Sequence, residues 1–406
     1  MSKSEDGPSQ IHRRGFLQTG AAAAAALAST TQGLADDAPE KTAKAIPTRV
    51  LGKTGVPVTI LNLGTWLNPG LNRLIQFAYA SGVRYIDTAK SYRSEPAIGQ
   101  WLEAHPEVRK EIFLVTKDHP NTPRELIKLL DQRLADLKTD YVDLFFIHGI
   151  GRDYPAVSMD WPKSREFKET IEAIKKSGKA KFVGFSCHDA KKAEYLQSAA
   201  EGGFVDAIMV AYTPWLAKDH PLERALDACQ KKGIGLISMK QVAGQSNILE
   251  EVEKRLPDLK ERGLSPYQAL LHAIWTDERI ASACVSMRNT DQIREDTTAA
   301  KSFVPMRKAE LERLREAWLA AGPTFCANCD GSCARAAGTE VSLCDLTRIL
   351  TYHDHHGNRG EARRLYGELS ETARNWAGAD LEAARQACHS KLDFAKLLPR
   401  VDEYFA

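Results

Sequence analysis

The chain lacks an excess of charge of either sign. Its 55 Lys and Arg stand against 53 Asp and Glu, a formal charge of +2 over 406 residues, with acids and bases interspersed. Such a balance gives no reason to expect nucleic acid or an anionic membrane as a partner. Also lacking is a run of the roughly 20 strongly apolar residues that a spanning helix needs. The nearest candidate, Ala21 to Ala26 and the small residues after it, is alanine-rich and shorter. No G-x-G-x-x-G follows the first predicted strand, which disfavours a doubly wound dinucleotide-binding sheet.

What is present begins at the N-terminus. Arg13-Arg14-Gly15-Phe16-Leu17-Gln18, followed by the alanine run, resembles a twin-arginine export signal, with His12 where such signals usually have Ser or Thr. Ala26-Leu27-Ala28 and Gly33-Leu34-Ala35 both offer small-residue cleavage sites. The resemblance implies a periplasmic or otherwise extracytoplasmic protein that engages the twin-arginine export machinery. A disordered alanine-rich tail is the alternative reading. Residues 1–44 are set apart as signal and linker.

From Arg49 onward, strands and helices alternate with a step close to thirty residues. Apolar and β-branched runs ending at Ile86, Thr116 and Ile147 are followed at once by Asp87, Lys117 and His148, so side chains distant in sequence converge on one rim of a parallel sheet. Thr122-Pro123-Arg124-Glu125 reads as a capped helix start ahead of Leu126, Leu130, Leu134 and Leu137, and Ser94 with Pro96 reads the same way. Further strands at Thr59 to Leu63, Lys181 to Phe185, Ala207 to Ala211, Ile234 to Ser238 and Ala283 to Val285 bring the total to eight strand–helix units over roughly 250 residues. The fold class is therefore α/β, a (β/α)8 TIM barrel over residues 45–320, with a helical, cysteine-bearing extension over 321–406. Thr48 to Pro57, turned by Gly52 and Gly55, predicts a hairpin ahead of the barrel.

Asp87-Thr88-Ala89-Lys90-Ser91-Tyr92, Val115-Thr116-Lys117 and Phe146-Ile147-His148-Gly149 together resemble the catalytic tetrad of the aldo-keto reductase family in order and spacing. The resemblance covers about Arg49 to Ala300 and implies NADP (or NAD) bound without a Rossmann motif. It also implies a small carbonyl or sugar-like substrate. The chemistry of the residues agrees. Hydride arriving at a carbonyl carbon leaves an oxyanion that Tyr92 can protonate. Lys117 is expected to lower the phenol's pKa, Asp87 to hold Lys117, and His148 to polarise the carbonyl. Around the cofactor, Ser186 matches the family's carboxamide-binding serine, while Cys187 replaces its asparagine. Tyr212 matches the aromatic that stacks on the nicotinamide. Lys240, Arg288 and Asn289 stand where barrels bind phosphate, and Asp296 where the family often has an asparagine near the adenine. Trp66 and Trp215 are candidate pocket walls.

Of eight cysteines, Cys187, Cys229 and Cys284 are scattered through the barrel and read as buried or incidental thiols. The other five follow it. Cys326, Cys329 and Cys333 form a tight cluster resembling half of a two-cluster ferredoxin, with Ala337-Gly338 where Cys-Pro would stand. Cys388, followed by His389, completes four thiolates for one 4Fe-4S cluster, and Cys344 competes as the fourth ligand. A structural zinc on the same thiolates is the alternative. The run His353, Asp354, His355, His356 reads as a solvated helix end. The resulting expectation is an exported oxidoreductase whose cluster could serve an electron-transfer partner. The rival classes are a catalytically silent nucleotide-sensing barrel and a pure electron-transfer protein.

Overall fold

Gly52 and Gly55 take positive φ angles of 50° and 70°. The turn they make lets β1 (Thr48–Val50) pair antiparallel with β2 (Pro57–Thr59). The computed structural model describes residues 45–66, 70–151, 154–189, 191–214, 220–241, 246–321, 326, 331–355, 359–388 and 391–405. The export-signal residues, Trp215, Cys329, His356 and His389 lie outside them. Residues Ala45–Ala406 form one compact unit.

After the hairpin come β3 (Leu61–Gly64), α1 (Leu71–Ala80), β4 (Tyr85–Asp87), α2 (Glu95–Ala104), β5 (Phe113–Asp118) and α3 (Leu126–Leu137). The alternation continues through β6 (Val142–Ile147), α4 (Arg165–Ser177), β7 (Ala180–Cys187), α5 (Lys192–Gly202), β8 (Ala207–Ala211), α6 (Pro221–Lys231) and β9 (Gly235–Met239). Two helices that sequence reasoning did not foresee, α7 (Ser246–Arg255) and α8 (Asp258–Glu261), precede α9 (Pro266–Thr276), β10 (Ile280–Val285) and α10 (Thr290–Lys301). β3 to β10 close into an eight-stranded parallel barrel, β10 pairing with both β9 and β3. The TIM-barrel expectation is met.

Side chains alternate across a strand, and this period fixes what the barrel holds. On β5, Phe113 and Val115 point inward, where they join Tyr85, Leu144, Phe146, Met209 and Ile237 in the apolar filling. Leu114 faces outward into the strand–helix layer, with Leu126, Leu130 and Phe145. Leu51 of the hairpin belongs to the inner filling and plugs the end where the strands begin. Gly184 keeps β7 close to β8, because a methyl group there would lie 1.9 Å from the Ala207 carbonyl oxygen.

Two predicted caps take other forms. Pro123–Glu125 make a 3-10 turn, so α3 starts at Leu126 and Thr122 makes no side-chain cap. The Glu125 carboxylate, a stronger acceptor than a hydroxyl, receives the Asn121 N–H at 2.6 Å instead. Ser94 likewise caps nothing, its hydroxyl lying 2.8 Å from that of Thr65 and 2.6 Å from that of Thr88 in a buried chain.

After α10, α11 (Lys308–Ala321) buries Trp318 against the outer layer. The tail follows as α12 (Ser332–Ala336), α13 (Leu343–Leu350), a π-helical turn at Thr351–His355, α14 (Arg359–Glu368), α15 (Glu371–Arg374), α16 (Leu381–Ala387) and α17 (Phe394–Phe405). It has its own apolar cluster, with Leu346, Leu350, Ala362, Phe394, Leu398 and Val401 among its members. All eight residues of α13 are buried. His353 stacks on Tyr404 at 4.3 Å, and Asp354 meets Arg400 at 2.6 Å, so the segment read as a solvated helix end is packed against α17. Among the described residues no helix is long and apolar enough to cross a membrane.

Candidate active site

The inward face of the barrel changes character at the strands' C-terminal ends. Lys117 continues the phase of Phe113 and Val115, and Asp87 that of Tyr85. Their ammonium and carboxylate meet at 2.5 Å, both at most 2% exposed, and the ammonium also donates to the Thr88 carbonyl at 2.8 Å. Tyr92 ends a 3-10 turn (Lys90–Tyr92) that Arg93 closes with a φ of 57°, and this returns the phenol ring over the rim. The Lys117 ammonium lies 5.1 Å from the Tyr92 ring centroid. The His148 imidazole meets Tyr92 edge-on at 5.4 Å. His119, two residues beyond Lys117, packs on His148 at 4.5 Å. Three residues of the tetrad, Asp87, Tyr92 and His148, line a cavity of about 790 Å³, and Lys117 joins them through Asp87.

Electrostatics correct one expectation. Burial raises the Tyr92 phenol well above its ordinary range, and the Asp87 charge adds to this. The Lys117 ammonium is paired with Asp87 at 2.5 Å, and the net shift of the phenol is upward. The phenol is thus held protonated and ready to donate. Burial, then Lys117, His119 and Lys240, push His148 well below its usual value, so it is a neutral imidazole, able to donate one N–H to a carbonyl oxygen. Asp87 is raised by burial and drawn back by Lys117. The Cys284 thiol, read as incidental, lies against the Asp87 carboxylate and lines the cavity.

Of the cofactor candidates, Ser186, Lys240 and Arg288 line the cavity. Ser186 shares the inward phase of Phe182, and its oxygen accepts the Gly149 N–H at 2.8 Å. Cys187, one residue on, faces outward with its thiol donating to the Ile150 carbonyl at 3.3 Å, so it does not join the cavity wall. Tyr212 is also buried in the outer layer, its hydroxyl donating to Asp277 at 2.7 Å. The same alternation accounts for both. Asn289 spends its side chain capping α10 at the Gln292 N–H (2.8 Å), while Gln292 itself lines the cavity. Asp296 is buried in α10, and burial pushes its carboxyl well up. Sequence reasoning missed Tyr267, Gln241 and Gln292, all in the wall. Gln241 directly follows Lys240 and Gln292 lies three residues after Asn289, whereas Tyr267 sits on a segment that carries no motif.

It also missed the roof. Cys326, Arg348, Thr351 and Tyr352 from the tail, with Arg364 and Glu368 of α14, complete the cavity. Trp66, expected as a pocket wall, is one, and its ring meets Tyr352 at 5.7 Å. Cys326, Cys333 and Cys388 share the tail's apolar cluster, and Cys344 is buried beside Cys326. Among the described residues no three metal-ligating side chains converge.

Comparison with known proteins extends this geometry. A profile described as Aldo/keto reductase family matches residues 62–319. The chain is 27% identical over 280 residues to the D-galacturonate reductase of Hypocrea jecorina, covering 64% of this chain and 83% of that one. It is 25% identical over 301 residues to Aldo-keto reductase family 1 member A1 of Homo sapiens, covering 66% and 90%. Among solved structures, the holo form of aldo-keto reductase AKR11C1 from Bacillus halodurans superposes with a TM-score of 0.52 at 19% identity. It covers 67% of this chain and 96% of that one, a likeness of fold.

Proposed function

The chain belongs to the aldo-keto reductase family and is an NAD(P)-dependent oxidoreductase, and from that premise we propose that it transfers a hydride between NADP(H) and a small carbonyl or sugar-like substrate. The observation that carries this reading is the meeting of Asp87, Tyr92, Lys117 and His148 at one cavity with Ser186, Lys240 and Arg288. The donor set fits the nucleotide: two cations and the N-terminus of α10 suit phosphates, and the Ser186 hydroxyl suits a carboxamide. The bound nucleotide would supply the hydride. His148 donates to the carbonyl oxygen and fixes its direction. Tyr92 gives its proton to the developing oxyanion, and in the reverse direction takes it back. Asp87 neutralises Lys117 and holds it beneath the ring. Nucleotide binding is measured by quenching of the full chain's tryptophan fluorescence, and turnover over a panel of aldehydes and sugars. NADPH oxidation that Tyr92→Phe lowers by about 100-fold or more supports the reading. Binding without turnover favours a sensing barrel.

The proposal extends to the two ends of the chain. The Arg13-Arg14 motif supports export by the twin-arginine route to an extracytoplasmic compartment. Cell fractionation tests it, with retention in the cytoplasm on joint Arg13→Lys and Arg14→Lys substitution as the expected result. The cysteine spacing supports one 4Fe-4S cluster on Cys326, Cys329, Cys333 and Cys388, with Cys344 as rival fourth ligand and zinc as rival ion. The fit is partial. Three of the thiols share one apolar cluster, but Cys329 lies outside the described residues and the described ones do not complete a ligand set. No step of the hydride transfer is routed through such a cluster. A cluster passes one electron at a time and a hydride carries two, so an electron-transfer partner belongs to this part of the proposal. Iron and acid-labile sulfide near four per chain in protein purified without oxygen supports it, and zinc or no metal overturns it.

A further inference from the structure

A helix buried on every side has no solvated face on which to carry charge. α13 nevertheless carries Asp345 and Arg348, one turn apart, with side chains 10% and 9% exposed and a closest N···O distance of 3.4 Å. The Ser342 hydroxyl donates to Asp345 at 2.7 Å. Of this pair, Arg348 lines the active-site cavity and Asp345 stands behind it. Thr351 and Tyr352 follow at the i+3 and i+4 positions and line the same chamber, the Thr351 hydroxyl itself donating to the Thr347 carbonyl at 3.1 Å. Tyr352 is near enough to Tyr92 to raise the latter's pKa, and burial keeps Tyr352 itself protonated.

The charges around the cavity have a direction. Its lining holds Lys240, Arg288, Arg348 and Arg364 against Asp87 and Glu368. Asp87 is engaged by Lys117, and Glu368 by Arg364, which Glu361 also holds. Lys240 and Arg288 stand on the barrel side, where the proposed function puts the nucleotide. Arg348 comes from the tail and stands beside Tyr352, with Cys326 and Cys344 also near it.

We infer that Arg348 and Tyr352 form a carboxylate subsite in the roof, selecting small carbonyl substrates that carry an acid group a few carbons from the reacting carbon: oxo acids and uronate-like aldehydes. The inference deepens the hydride-transfer reading and rests on it. A guanidinium fork matches a carboxylate with two parallel hydrogen bonds, and the Tyr352 hydroxyl adds a third donor. An uncharged analogue would displace water from Arg348 without replacing it, and that asymmetry is the source of the discrimination.

The test uses the full chain loaded with NADPH and three pairs of ω-oxo acids and their methyl esters of increasing length, beginning with succinic semialdehyde. The acid should exceed its ester in kcat/KM by on the order of 10- to 100-fold in at least one pair. Arg348→Met should lower that ratio by about 10-fold or more, chiefly through KM for the acid, and Arg348→Lys should fall between. A ratio near one in the parent protein, or one that Arg348→Met leaves unaltered, overturns the subsite. If Arg348→Met does not fold because Asp345 is left alone, Tyr352→Phe carries the test. It keeps the ring against Trp66 and removes the hydroxyl, and the ratio should still fall several-fold. If no aldehyde of either kind is reduced, the hydride-transfer reading fails separately. Calorimetric titration of succinate into the nucleotide-loaded protein then decides the subsite. Binding that Arg348→Met, or Tyr352→Phe in its place, weakens sustains it, and absence of binding overturns it.

Discussion

The floor and the roof of the cavity each hold a cation backed by a carboxylate, and they hold it differently. In the floor, Lys117 and Asp87 come from neighbouring strands and meet at 2.5 Å. In the roof, Arg348 and Asp345 share one helix and approach only to 3.4 Å. Two strands of a closed barrel fix both ends of the floor pair, and the charge is spent internally. A single helix presents the roof pair with the acid behind and the cation toward the cavity, so that charge is directed at whatever the cavity contains. Two ion pairs of one chemical type therefore serve opposite ends. One positions a proton donor, and the other faces a ligand.

The comparison is broken most directly by Lys117→Met. It leaves Asp87 buried without its partner, and the expected outcome is a loss of about 3–5 kcal/mol in thermal or denaturant unfolding. The joint change Asp87→Asn with Lys117→Met should restore much of that stability while kcat stays low, which separates the pair's stabilising role from its positioning one. A second test sharpens the floor by pH. His148 has a folded pKa below its unfolded value, so the unfolded chain binds more protons in the window beneath about 6.5. Stability is then complete above that window and lost as pH falls through it. The thermal midpoint should drop between about pH 7 and 5.5, and His148→Gln should flatten the slope. The raised Tyr92 pKa gives a third expectation. Because the phenol stays protonated, the reductive kcat should stay level to about pH 9, while the oxidative rate should rise with pH. The smallest effect belongs to a residue that neither surface uses. Tyr212→Phe should cost about 1 kcal/mol by removing the hydroxyl from Asp277, and leave the nucleotide Kd within about two-fold.

Asp87, Lys117 and His148 were legible because each directly follows an apolar strand run, and a thirty-residue step made their convergence a matter of counting. Tyr212 and Cys187 were assigned by resemblance, without attention to phase. Each is one residue out of step with its strand's inward set, Ala207, Met209 and Ala211 on β8 and Phe182, Gly184 and Ser186 on β7. The alternation that identified the strands would have turned both outward. The lowered phenol pKa was expected from a Lys117 held in place by Asp87, which leaves out the cost of burying a phenolate. Arg348 and Tyr352 were not legible. They lie more than 250 positions from Tyr92 in sequence, and nothing in a helix's apolar spacing says that its polar face closes a cavity in a neighbouring barrel. A signal was available in retrospect: Asp345, Arg348 and Tyr352 repeat at helical spacing between leucines that are themselves core, so their face also had to meet something.

The inward phase of β5 has a further consequence, for folding fidelity. A one-residue slip of that strand would exchange Lys117 with Thr116 or Asp118, turn its ammonium outward and leave Asp87 buried without its partner. Phe113 and Val115 would leave the barrel filling at the same time. An apolar strand tolerates misregistration better than one that ends in a charge, since isoleucine and phenylalanine are at home in either layer. The polar rim thus acts as a proofreading device: the residues that carry the chemistry also make a one-residue slip expensive.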